Sequence, residues 1–168
     1  MIFIDTTVWV GDADLNDDFH DSSHKIVESV RTGKNPPGLV TDFIIDELVT
    51  ILGKRKGFGA GAAKDTGRAI LESPRIFTVF VDDSILRAAL SVYPAFKGKL
   101  SLTDVVTTVV MKKYRVSDIF SHDTDFDRVK GVHRLTMMGR AQAPDFGRGE
   151  SQFSLTRTGR RLRRSTER

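Results

Sequence analysis

A chain of 168 residues, 39% apolar and 29% charged, has the size and make-up to bury one core. It contains no Cys, which excludes a disulfide framework, a thiolate nucleophile and a Cys-based zinc site, and no apolar run nears the roughly 18 residues of a membrane span. Its net charge of +4 divides unevenly: residues 1–138 hold 18 basic and 19 acidic side chains, while residues 139–168 hold eight Arg and three acids.

That division predicts a near-neutral folded domain over 1–138 and a basic, Arg-rich C-terminal tail over 139–168, which lacks apolar period and is expected to be flexible. MIFI opens the chain as a short apolar run suited to a buried strand, ended by Asp5. The acid comes too early, and without a basic flank, for a secretory signal, so a cytoplasmic protein is expected. Helical spacing appears from Ser22 to Val30, with Ile26, Val27 and Val30 on one face, and GKNPPG breaks it. A second helix is expected to start at Thr41 or Asp42 and to turn Ile44, Leu48 and Ile51 inward. GFGAG, a hinge rather than a phosphate loop because no Gly-Lys-Ser/Thr follows, leads into an Ala-rich helix over about residues 61–72. RIFTVFV reads as a strand and DDSILRAALSVY as a helix capped by Asp82 or Asp83. In SLTDVVTTVVMKKY, Ser101 and Asp104 have the spacing of a capping box; VSDIF and VHRLTM then read as strands. Trp9 and Phe126 are expected in the core. His20 and His24 share helical spacing but lack the Glu of a zinc-protease helix.

Between the last two strands, FSHDTDFDRV packs Asp123, Asp125 and Asp127 into one turn. An EF-hand loop is excluded, because its obligatory Gly and Glu positions hold Arg128 and Arg134. Alternating strands and helices imply an α/β sandwich with a mostly parallel sheet, and ligands of such sheets bind beyond the carboxyl ends of the strands. Asp5 and Asp123 follow strand-like runs and should share that edge. Asp104 falls in a first helical turn, and Glu47 lies beside the apolar face of its helix. Asp104 as a mere cap and Glu47 as a solvated helix residue are the competing readings. Four gathered carboxylates need a compensating cation, and an all-oxygen donor set selects Mg²⁺ or Mn²⁺, which suits phosphodiester cleavage.

FIDTTVWV, FIIDELVTIL, LSLTDVVTTVV and FSHDTDFDRV occur in the order and at roughly the spacing of the PIN-domain family, and most resemble the VapC-type ribonuclease toxins of toxin-antitoxin systems. The likeness spans about residues 1–136. It implies a three-layer α/β/α sandwich and a metal-dependent endoribonuclease that leaves a 5′-phosphate and a 3′-hydroxyl. Asp5, Glu47, Asp104 and Asp123 would be the catalytic, metal-holding quartet and Asp125 a supporting acid. Thr6 stands where a small hydroxyl orients the first Asp in that family, and Ser121 would act near Asp123; Asp127 has no family role and reads as surface. A cognate antitoxin and a homodimer are further implications.

Acids alone cannot hold a polyanion, so RNA contacts are expected from Lys54, Arg55 and Lys56, from Lys112 and Lys113 with Arg115, and from Arg160, Arg161, Arg163 and Arg164 of the tail. The alternatives are an RNA-processing nuclease without an antitoxin and a non-catalytic module whose acids receive a basic partner. A haloacid-dehalogenase phosphatase is disfavoured, because Thr7 stands where that family has its second Asp.

Overall fold

A computed structural model describes residues 1–136 and the backbone of residues 139 and 140. Strands β1 (Ile2–Ile4), β2 (Gly38–Thr41), β3 (Ile76–Val79), β4 (Asp118–Phe120), β5 (His133–Thr136) and β6 (Gly139–Arg140) form one sheet in the order β3-β2-β1-β4-β5-β6. All pairings are parallel except β5 with β6. Every residue of β1 is apolar and buried, as a central strand covered on both faces requires.

Among the described residues six α-helices cover the sheet: α1 (Thr6–Ala13), α2 (His20–Arg31), α3 (Asp42–Lys54), α4 (Gly59–Leu71), α5 (Asp83–Val92) and α6 (Leu102–Tyr114). Helix α1 packs on α2 and α3, α3 on α4, and α5 on α6. The chain steps outward from β1 through β2 to β3 and then returns past β1 to β4. Right-handed crossovers put helices of the outward and return paths on opposite faces, which makes the three-layer sandwich. The return also creates a switch point between β1 and β4, where the Asp5 amide donates to the Phe120 carbonyl at 3.0 Å.

Three elements escape the sequence patterns. Helix α1 buries Thr6, Val8, Trp9, Val10 and Gly11, so it displays no polar face from which a helical period could be read. Strand β2 is four buried residues behind the Pro-rich break, and the two-residue β6 lies just past residue 138. In α3, Leu52 is fully buried with Ile44 and Leu48, whereas Ile51, expected inward, lines a cavity. Thr41 and Asp82 are the caps of α3 and α5. The turn before α4 uses positive φ at Gly57 and Gly59, and α4 starts at Gly59 rather than near residue 61. Trp9 and Phe126 are in the core. The expected tail begins at β6, and the rest of it from residue 141, with Arg160, Arg161, Arg163 and Arg164, lies outside the described residues.

Candidate active site

Beyond the carboxyl ends of β1 and β4 lies a cavity of about 780 Å³ whose lining includes Asp5, Glu47, Asp104 and Asp123. Each acid arrives there for a local reason. Asp5 ends β1 and caps α1, Asp123 caps the 3-10 turn Thr124–Arg128 behind β4, and Asp104 opens α6. Glu47 stands on α3, which α1 packs against.

Asp5 is 3% exposed. Its Oδ2 accepts from the Thr7 hydroxyl at 2.6 Å, the Ser121 hydroxyl at 2.8 Å and the Thr7 amide at 3.3 Å. Burial nevertheless pushes its carboxyl above the ordinary Asp range, with these bonds opposing the shift. Glu47 is raised by burial first, with Asp104 and Asp46 adding repulsion, while the Thr6 hydroxyl bonds its Oε2 at 2.7 Å and counters both. Asp104 is raised by burial and by the nearby Asp5 and Asp123. Mutual repulsion and desolvation thus act on one group of acids, and none of the four is ion-paired with a Lys or Arg among the described residues.

The capping box is complete, since the Asp104 amide donates to Ser101 Oγ at 3.1 Å and the Ser101 amide to Asp104 Oδ2 at 2.7 Å. Asp104 therefore caps its helix and lines the cavity as well. A hard divalent cation suits the chemistry of this donor set: oxygen only, partly or fully buried, and with Arg55, the one arginine among the described residues of the cavity wall, committed to Asp14 and Asp17. Among the described residues, no three His, Asp or Glu side chains already converge on one point as an assembled ion cage.

Several supporting residues differ from expectation. Thr6, expected to orient Asp5, bonds Glu47, and Thr7 takes the Asp5 task. Ser121 bridges two acids, donating to Asp5 and accepting from the Asp123 amide at 2.9 Å. Asp125 does not line the cavity; its carboxylate meets Arg128 at 3.3 Å, and its amide donates to Asp123 Oδ1 at 2.8 Å. Asp127 is not a surface acid, because Arg134 on β5 grips both of its oxygens at 2.8 Å and also reaches the Ser121 carbonyl at 3.3 Å. That fork fastens the loop carrying Asp123 to the sheet.

Arg55, among the basic candidates, lines the cavity. It pairs with Asp14 and, at 3.0 Å, with Asp17, which ties the end of α3 to the loop between α1 and α2. Lys54 and Lys56 flank it on the exposed surface. Lys112 and Lys113 stand near the other end of α6, roughly 12 Å along the axis from Asp104 at about 1.5 Å per residue, and Lys113 pairs with Asp82 at 3.6 Å. His20 and His24 stack on each other but bond separately, to the Gly11 carbonyl and to Asp12.

Thr7, Ser23, His122 and Arg134 carried no signal in the sequence: Ser23 and His122 meet across 99 positions and His122 and Thr7 across 115, while Thr7 and Arg134 serve acids two and seven residues away in no recognisable motif. Burial lowers the His122 pKa and so favours its neutral ring.

The PIN domain family profile matches residues 2–132. A VapC ribonuclease of Archaeoglobus fulgidus is 31% identical over 125 residues, 73% of this chain and 77% of that protein. The crystal structure of Mycobacterium tuberculosis VapC20, a sarcin-ricin loop cleaving toxin, superposes with a TM-score of 0.68 at 21% identity, covering 84% of this chain and all of that one. VapBC2 of Rickettsia felis, crystallised bound to a DNA fragment from its promoter, gives 0.58 at 14% identity over 80% of this chain and 97% of that chain.

Proposed function

The chain belongs to the PIN-domain family, and from that premise we propose that it is a divalent-metal-dependent endoribonuclease, the toxin of a toxin-antitoxin pair. The observation that carries the reading is Asp5: a buried carboxylate with hydroxyl partners and no Lys or Arg partner among the described residues, lining one cavity with Glu47, Asp104 and Asp123 at the switch point of a parallel sheet. The VapC ribonuclease relative supports RNA as the substrate.

In this mechanism Asp5, Glu47, Asp104 and Asp123 hold Mg²⁺ or Mn²⁺. Such an ion supplies Lewis acidity toward the phosphodiester and lowers the pKa of water to make a nucleophile near neutral pH. The protein's part is orientation. Thr7 and Ser121 restrain Asp5, Thr6 restrains Glu47, the helix cap fixes Asp104, and the Arg134–Asp127 fork holds the Asp123 loop. Arg55, Lys54 and Lys56 meet the strand's phosphates on the α3 side of the cavity. The protein acts in the cytoplasm as a homodimer. An antitoxin offering a basic side chain to the acids would silence it.

The test is incubation with a mixed structured and single-stranded RNA pool in Mg²⁺, in Mn²⁺ and in chelator, beside Asp5→Asn and Asp104→Asn. Cleavage that needs the ion and disappears in both folded variants is expected. Cleavage that persists in chelator or in the variants overturns the reading.

A further inference from the structure

The same cavity carries a pair of rings for which the hydrolytic chemistry has no use. Phe19, at the start of α2, is 50% exposed. Its ring stacks on His122 with centroids 4.2 Å apart and planes 11° from parallel, and both residues line the cavity with Asp5 and Asp123. His122 is fixed from two sides. Its Nε2 shares a 2.8 Å hydrogen bond with the hydroxyl of fully buried Ser23, and its amide donates at 3.0 Å to the Thr7 hydroxyl, the group that also bonds Asp5. The rings are thereby registered to the acids through a single shared hydroxyl.

We propose that the Phe19–His122 stack is a platform for one base of the RNA strand next to the cleaved phosphate, with Phe19 as the residue the base touches; this rests on the RNA-cleaving reading. His122 stacks on one face of the Phe19 ring, and half of the Phe19 surface stays open to solvent. Unpaired RNA bases are flat and apolar on their faces, and proteins that read single strands hold them against such rings. An exposed Phe is ordinary in itself, and Phe77 and Phe80 are at least as exposed; what distinguishes Phe19 is that its ring is stacked on a fixed histidine in the wall of the acidic cavity. A cavity of about 780 Å³ has the volume of sites that accept nucleotide-sized groups. Stacking also answers an electrostatic difficulty. The acids repel the strand until a cation is present, whereas a neutral stacking contact holds a base regardless of charge.

The experiment uses the full chain and short single-stranded RNAs with one 2-aminopurine, whose fluorescence falls on stacking. Binding is measured with Ca²⁺ and cleavage with Mg²⁺ or Mn²⁺, for wild type, Phe19→Leu and Phe19→Tyr; thermal melts confirm folding, and Phe19→Met replaces the Leu variant if that fails to fold. Wild type and Phe19→Tyr are expected to bind and quench. Phe19→Leu, which keeps apolar cover over His122 but has no π face, should bind roughly 5- to 100-fold more weakly and raise KM with kcat little changed. If Phe19→Leu quenches, binds and cleaves like wild type, the platform is wrong and the nuclease reading stands. A fall in kcat at unchanged KM makes Phe19 a support for His122 and also overturns the platform. A wild type that neither binds nor cleaves RNA overturns both.

Discussion

Thr6 donates its hydroxyl to Glu47 across 2.7 Å, so the first residue of α1 restrains an acid 41 positions further along the chain, on α3. Removing that donor leaves a half-buried carboxylate without its one counterweight to burial and to Asp104. Thr6→Val is expected to lower kcat/KM by roughly 10-fold, as loss of a partner behind a metal-holding group does, with little loss of fold. Thr6→Ser should restore most of the activity. Steady-state cleavage and Mn²⁺ titration of the three proteins check this.

Asp5 predicts an opposition between stability and function. In the metal-free protein its carboxyl titrates above the ordinary Asp range, so the fold holds the proton at pH values where the unfolded chain has released it. The ionised carboxylate therefore destabilises the fold above its folded-state pKa, and that cost is relieved as pH falls toward the ordinary value of about 4. Asp5→Asn keeps an acceptor for Thr7 and Ser121 while removing the charge. In chelator at neutral pH it should be more stable than wild type by about 1–3 kcal/mol. The gap should narrow on acidification, and added Mn²⁺ should raise the wild-type Tm but not that of the variant. Calorimetry at several pH values, with and without the ion, decides it.

Arg134 binds both oxygens of Asp127 with its own side chain 9% exposed. Arg134→Met keeps the volume and leaves Asp127 without its cation. The expected loss is about 2 kcal/mol, less than the roughly 3–5 kcal/mol of a fully buried pair, because Asp127 retains some contact with water. Hydrogen exchange should quicken over residues 121–129, and activity should fall with it. Unchanged protection in that loop would show that the fork does not fasten Asp123.

At Gly11 a Cβ would stand 2.4 Å from Ser23 Oγ, the hydroxyl that holds His122. Gly11→Ala must therefore displace Ser23 or separate α1 from α2. A loss of about 1–3 kcal/mol is expected from this overpacking. Pairing the substitution with Ser23→Ala, which clears the hydroxyl, should recover part of it, and a double-mutant cycle by chemical denaturation measures the coupling.

Much of this site was legible along the chain because its parts are local. A strand that ends in an acid, a Ser101–Asp104 capping box and a D-x-D-F turn are each defined within a few residues, and the βα alternation sends strand ends and helix starts to one edge. Helix α1 was not legible, because a helix covered on all sides has no apolar stripe. Leu52 and Ile51 differ by one helical step of about 100°, which is enough to put one in the core and the other on the cavity wall.

The sequence by itself determined the family, the parallel sandwich and the gathering of Asp5, Glu47, Asp104 and Asp123 at one cavity, since these follow from residue types at short spacings. Only the tertiary structure decided which group serves which acid. Thr6 and Thr7 are identical neighbours, yet the turn of α1 aims one hydroxyl at Glu47 on a facing helix and the other at Asp5. Asp125 and Asp127 are equally alike in sequence. Asp127 meets Arg134 because parallel pairing of β4 with β5 brings that strand alongside, while Asp125 is left with Arg128 of its own turn. Hydrogen bonds and ion pairs reach only a few ångströms, so which of two like residues meets a given partner is decided by how the helices, strands and turns pack.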